Sequence, residues 1–452
     1  ETEPSLLVFN TLNWTRSGIA SVYIDHQIIP RGMNAGVYDS RGKRMATQPL
    51  SHRSDGTYWA IRIGSIPPFG YKKLIVRAEE EVPTSAQGGP ETAIPASSTS
   101  GPLAVARDES TSGPRAVARD ESTSGPLAVA PEAILENRWY RIETDLQKGT
   151  VTSIIDREMS VELVDSGSEY GLGEFILEQL GNRSQMEGRM LNDYIRKPLD
   201  TVWFDSASKG EIWNSIRFYG ESETAIGPRG FMLEIRLHNQ EKRIDIACSI
   251  IKRSITDPES FYIAFPFKVQ GGRHFTEVAG GVIETGIDQI RGSSNDWYTV
   301  QNFTSVRNDG MQIVLGSNEM PLMQFGAINT GRYTAGATPR STSIFSWPMN
   351  NYWVTNFNAD QRGGHSWTYY ITSSSDNSND FASRFGWGTR VPFLTRILPG
   401  GGPGDSSTEG SFITGLPDNM LIISAIPSAS GDVSIIHVRE TAGRETVFKP
   451  VN

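Results

Sequence analysis

The 452-residue sequence is poor in the residues that metal and redox chemistry need. It has one cysteine, Cys248, and six histidines. A single cysteine excludes an internal disulfide framework, though not a secreted location. His26, His52, His238, His274, His365 and His437 stand alone, no two within five residues of each other. Zinc ligands cluster at short spacings, and neither HExxH nor CxxC occurs. Each histidine therefore reads as an isolated surface or core residue. The GxSxG elbow of serine hydrolases is also missing. The glycine runs at 171–174 and 400–404 are loops: the first opens no helix, the second lacks the Lys-Ser/Thr of a phosphate loop. Lys and Arg number 42 against 51 Asp and Glu, a net charge of −9 with no basic cluster, which excludes a nucleic-acid surface. No apolar run is long enough for a membrane span. The chain opens ETEPS, without Met, a basic leader or an apolar stretch, so it reads as a processed chain or a piece of a longer one. The sequons at Asn13, Asn182 and Asn302 are about as many as chance supplies and carry no localisation signal. Helix signals are sparse.

What is present is β-structure. Glycine (45) and proline (25) together exceed ordinary usage. Residues 6–77 alternate as short strands, LLVFNTL, ASVYID, YWAIRIG and KKLIVRA, separated by turn signals. A small antiparallel sandwich over 1–80 is expected. Residues 98–133 hold three copies of a 12-residue unit, STSGPLAVARDE and its variants. With no aromatics and few aliphatics, they cannot build a solenoid core, so 81–133 reads as a low-complexity linker. Residues 134–396 read as one large β-domain, with hairpins at 136–158 and 231–252 and further strands at 261–267, 297–303, 311–317 and 365–373. A glycine-rich linker at 397–410 precedes a partial β-module at 411–452. The expected class is all-β in several modules.

One stretch is unusually dense. Residues 346–357, SWPMNNYWVTNF, hold four aromatics and three side-chain amides. Pro348 keeps them out of a helix interior. Extended, they place Asn350, Tyr352 and Asn356 on one face and Asn351 and Trp353 on the other. Trp297, Tyr298, Trp347 and Trp367 and the polar Asp296, Gln301 and Gln361 enlarge the set. Sugars present apolar C–H faces rimmed by hydroxyls, which suits aromatics interleaved with amides. Asp296, Trp297, Tyr298, Asn350, Asn351, Tyr352, Trp353 and Asn356 are therefore the candidate carbohydrate-binding residues. The alternative is that the aromatics fill a β core and the amides satisfy strand ends.

Four segments, in order, resemble the β-rich C-terminal half of glycoside hydrolase family 38, the α-mannosidases. Residues 6–25 resemble the sandwich after that family's helical bundle. Residues 136–165 resemble the start of its galactose-mutarotase-like supersandwich. Residues 265–303, 319–326 and 346–357 resemble that domain's later strands, and 418–444 the opening of its last β-module. The resemblance implies a non-catalytic scaffold that partly lines a mannoside site. The family's zinc ligands and nucleophilic aspartate lie in an N-terminal barrel, of which no His-x-Asp motif is found here. The implied partner is that barrel, on a separate or missing segment. No cofactor is expected in this chain, zinc belonging to the barrel, and the chain alone is not expected to hydrolyse a glycoside. Secreted, lysosomal or vacuolar locations all fit, so localisation stays open. Also open is a stand-alone carbohydrate-binding protein or a metal-free supersandwich of the polysaccharide-lyase kind, with Tyr298, His365 and Asn350 in the reactive roles.

Overall fold

In the computed structural model, residues 3–80, 133–188, 190–331, 338–354, 359–400, 407–417 and 419–447 are described. The repeats and Asn356 lie outside them. The architecture is all-β: strands dominate, with one α-helix, Asn379–Arg390, and one 3-10 turn, Arg183–Met186, among the described residues. No helix there is long and apolar enough to cross a membrane.

The small sandwich pairs two sheets. The larger runs in the order Leu394–Leu398, Ser5–Asn10, Gly70–Glu80, Met33–Tyr38, Arg44–Met45, with Glu409–Ser411 also on Gly70–Glu80. The smaller is Arg16–Asp25, Gly56–Ile66 and Thr47–His52. Alternating residues such as Leu6, Val8, Val22, Ile24, Ile61 and Ile63 form its core. Phe393 belongs to that core too. Leu394–Leu398 pairs antiparallel with Ser5–Asn10, Leu7 opposite Arg396. The large β-domain is thus inserted between strands of the small one, and a boundary at 396 falls inside a strand.

The large domain packs a nine-stranded sheet on a six-stranded one. The nine-stranded order is Thr201–Lys209, Trp213–Glu221, Phe231–His238, Ile244–Lys252, Gly363–Ser374, Gln312–Ser317, Phe303–Arg307, Arg273–Val278, Gly281–Glu284. The six-stranded order is Tyr194–Lys197, Phe175–Leu180, Glu259–Pro266, Ser343–Asn350, Leu322–Phe325, Tyr298–Thr299. A four-stranded sheet, Val161–Glu162 to Ile134–Glu136, closes one side. Between them lies the main core, including Phe175, Leu233, Ile246, Phe261, Phe265 and Tyr369.

The central strand of the six-stranded sheet, Glu259–Pro266, is buried on both faces. Phe261, Ile263 and Phe265 point into the main core. Tyr262 and Ala264 point the other way, into a second cluster with Ile176, Leu180, Phe345, Trp347 and Tyr352. Burial on two faces erases the apolar/polar alternation of a half-exposed strand.

Ser378 caps the helix by accepting from Phe381 N, Asp380 sits in its first turn and Arg390 in its last. It packs Ala382, Phe381 and Phe385 on Phe303 and Val314. Gly386 lets it approach: a Cβ there would lie 2.6 Å from the Phe303 ring. Beyond it, Met420–Pro427 and Ser434–Glu440 form a two-stranded ribbon. Asn13 ties the ribbon to the small sandwich, donating to the Met420 carbonyl and accepting from Ile422 N at 2.9 Å.

Candidate functional site

The strand Ser343–Asn350 does not keep one alternation. Opposite it, Phe261 pairs with Met349 but Ile263 pairs with Ser346, a register shift that marks a bulge at Trp347–Pro348. Proline has no N–H for the ladder, so the bulge is where it fits. The extra residue reverses the faces. Ile344 and Met349 both reach the main core, one even-numbered and one odd, while Phe345 and Trp347 face the second cluster. The regular strand ends at Asn350, and Tyr352 and Trp353 both turn toward the second cluster. The two-faced extended strand expected through 350–354 is therefore replaced by a bulged strand and an irregular segment.

This local shape divides the candidates into three groups. Trp297, Trp347, Tyr352 and Trp353 form one aromatic group. Trp297 lies 5.4 Å from Trp347 and 5.5 Å from Trp353 between ring centroids, and Tyr352 lies 6.1 Å from Trp353. Trp347 is buried and donates to Ser260 Oγ. Tyr352 is fully buried and donates to Glu178 Oε1 at 2.6 Å. Burial, with Tyr262 and Glu178 nearby, pushes its pKa well above the ordinary phenol value, so it remains a donor. Trp297 and Trp353 are half-buried at the margin. Asp296 Oδ2 accepts from Gly331 N at 3.1 Å.

Asn350 and Asn351 sit beside the buried ion pair Lys252–Glu259 (2.5 Å). Asn351 Oδ1 accepts from Glu259 N at 2.7 Å, and its Nδ2 donates to the Ile255 carbonyl at 3.0 Å. Those bonds use the amide to hold the chain. Asn350 is half-buried, and its side chain makes no hydrogen bond among the described residues. Tyr298 forms the third group. It packs into the main core, 5.2 Å from the Phe325 ring. Trp367 is likewise core, stacked on Phe261. Gln301 and Gln361 are exposed. His365 is bonded through Nε2 to the Gln361 carbonyl at 2.9 Å.

Partly exposed atoms capable of meeting a glycan thus remain on Trp297, Trp353 and Asn350. A two-carboxylate hydrolytic pair would need two acids facing one space. The buried acids nearest this region are engaged: Glu178 by Tyr352, Tyr262 and Arg196, and Glu259 by Lys252 and Thr224. Among the described residues no group of three or more His, Cys, Asp and Glu could hold a metal ion. Residues that sequence reasoning did not single out include Glu178, whose three partners, Arg196, Tyr262 and Tyr352, come from separate segments of the chain and leave no local signature.

Comparison with solved structures addresses the whole chain. A protein in glycosyl hydrolase family 38 from Enterococcus faecalis superposes with a TM-score of 0.66 at 10% identity, over 99% of this chain and 53% of that one. An α-mannosidase from E. faecalis V583 gives the same score and identity over 99% and 52%. The fold is family 38-like. No family model matches the sequence, and no curated protein does. The chain spans about half the length of the family 38-like structures it matches.

Proposed function

We propose that this chain is the non-catalytic β-region of a family 38-like α-mannosidase. It scaffolds, and partly lines, a glycan site that a zinc-binding barrel on a separate or missing segment completes. The observation that supports this reading is the extent of the match: 99% of the chain superposes on about half of an α-mannosidase. The composition of the candidate group agrees with it. Trp297 and Trp353 offer aromatic faces to a sugar ring, and Asn350 offers a hydroxyl an amide that makes no hydrogen bond among the described residues. Zinc is assigned to that barrel, and no chemical step is assigned to the residues of this chain.

The test is reconstitution. The purified chain alone should not hydrolyse 4-nitrophenyl α-mannoside and should carry no stoichiometric zinc. Combined with a barrel-bearing polypeptide from its own genome, it should form a stable complex that releases mannose. Hydrolysis by the isolated chain, or a barrel that is fully active and never binds it, would overturn the reading. Asn350→Ala in the complex should lower the rate while leaving the melting temperature unchanged.

A further inference from the structure

The strand Arg16–Asp25 of the small sandwich with the residues just before it, the outer face of the nine-stranded sheet and the helix Asn379–Arg390 enclose a cleft of about 510 Å3. Its position follows from the insertion of one domain in the other, which brings Arg16 and residues 384–393 together. The sheet contributes alternate residues on its outer face: Arg236, opposite Asp245, and Tyr370, opposite Asp245 on the next strand.

Four arginines in this cleft stand over aromatic rings. Arg16 lies 4.4 Å from the Phe393 centroid, Arg236 5.3 Å from Trp213, Arg243 4.7 Å from Tyr370 and Arg384 5.5 Å from Trp14. Three of them have a carboxylate. Arg236 donates twice to Glu234 Oε2, at 3.0 and 2.6 Å. Arg243 grips both oxygens of Asp245, at 2.6 and 2.8 Å. Arg384 Nε reaches Asp380 at 2.9 Å. Burial disfavours the Asp245 charge, yet Arg243 and His238 outweigh it and hold the carboxyl below its usual range.

Arg16 is the exception. It is 8% exposed and has no carboxylate partner among the described residues. Its Nη2 donates to the carbonyls of Gly388 at 2.6 Å and Val391 at 2.8 Å, at the end of the helix. Its Nη1 is buried and makes no hydrogen bond among the described residues. Desolvation lowers its pKa to about 10, which still leaves it charged at neutral pH. Glu241 lines the same cleft, and its Oε1 accepts no hydrogen bond among the described residues. Arg62 Nε stands 3.4 Å from that oxygen without aligning its N–H. Arg243 Nη1 lies 3.7 Å from the other oxygen of Glu241. A buried guanidinium N–H and a buried carboxylate oxygen that make no hydrogen bond among the described residues are each costly unless something enters to meet them.

We propose that this cleft binds a small anionic sugar, a sugar phosphate or a sugar acid. The anionic group meets Arg16, a hydroxyl donates to Glu241, and the ring lies against the half-buried Trp14. A guanidinium favours oxyanions through charge-assisted hydrogen bonds. An aromatic face favours the C–H side of a sugar, and the cleft is of the size that small ligands occupy. This ligand is other than the mannoside of the proposed glycan site, and the inference stands without that site.

The experiment is calorimetric titration of the full chain with glucose 6-phosphate, glucuronate, glucose and inorganic phosphate. At least one of the two anionic sugars should bind on the order of tenfold tighter than glucose. Preference between them identifies the phosphate or the carboxylate as the anion. Arg16→Gln should weaken that binding by a similar factor while the protein stays folded. Should Arg16→Gln fail to fold, Trp14→Leu decides: weaker binding supports the site, unchanged affinity overturns it. No binding of either anionic sugar at ~5 mM would overturn the proposal. So would glucose or inorganic phosphate binding as tightly as the anionic sugar, or a folded Arg16→Gln protein with full affinity.

Discussion

Tyr352 donates its hydroxyl hydrogen bond to Glu178 Oε1 at 2.6 Å, joining residues 174 positions apart on the buried outer face of the six-stranded sheet. Tyr262 reaches the same oxygen at 3.1 Å, and Arg196 Nε reaches Oε2 at 2.5 Å. The carboxylate is fully buried, so these three donors replace its water. Tyr352→Phe should cost roughly 1.5–3 kcal/mol, the worth of a bond to a charged group. Glu178→Ala should cost about 3–5 kcal/mol, because it strands the Arg196 charge. Urea denaturation measures both. A Tyr352→Phe protein of unchanged stability would place the hydroxyl outside the network.

Trp347 and Trp353 should separate burial from exposure within one aromatic group. Trp347 is buried under Tyr262 and Trp353, whereas Trp353 is half-buried. Trp347→Ala should cost about 3–5 kcal/mol, and Trp353→Ala clearly less. Equal losses in chemical denaturation would show that Trp353 is as much a core residue as Trp347.

His274 gives the fold a pH dependence. It is buried, donates Nε2–H to the Ser341 carbonyl at 2.9 Å, and leaves Nδ1 without a partner among the described residues. Desolvation lowers its pKa to about 4, against an ordinary value of about 6.5. Above pH 6.5 the ring is neutral in both folded and unfolded chains, and its contribution to stability is fully present. As pH falls from about 6.5 to 4, the unfolded chain takes up a proton that the folded one refuses, and up to roughly 3 kcal/mol is lost. His274→Asn should flatten the stability profile over that window. An unchanged slope between pH 6.5 and 4 would assign the acid sensitivity to other groups.

The helix offers two glycines with opposite expectations. A Cβ on Gly388 meets nothing within 4 Å, so Gly388→Ala should stabilise by about 0.5–1 kcal/mol through helix propensity. A Cβ on Gly386 would lie 2.6 Å from the Phe303 ring, so Gly386→Ala should destabilise by about 1–3 kcal/mol through overpacking. Thermal melting of the two variants reads the difference. Stabilisation by both would mean that the helix does not press on Phe303.

Much of the β-structure was legible because a strand's period-2 pattern is local. Residues 231–252 alternate Leu233, Ile235 and Leu237, then Ile244, Ile246 and Cys248, and that hairpin is found. The helix was not legible, since Gly386 and Gly388 depress helix propensity while the reason for Gly386 lies in Phe303, 83 residues earlier. Nor was the pairing of Leu394–Leu398 with Ser5–Asn10, which depends on hydrogen bonds between distant segments.

By itself the sequence determined the all-β class, the positions of most strands and the presence of an aromatic and amide-rich stretch at 346–357. Only the tertiary structure decided which of those side chains are free. The bulge at Trp347–Pro348 shifts the register against Phe261 and Ile263 and reverses the faces, and no single-strand pattern encodes a shift relative to its neighbour. Tyr352 then meets Glu178 and Asn351 meets Glu259, while the Asn350 amide makes no hydrogen bond among the described residues. Whether a polar group is spent on the fold or left for a ligand depends on partners far away in the chain, and those become neighbours only when the sheets stack.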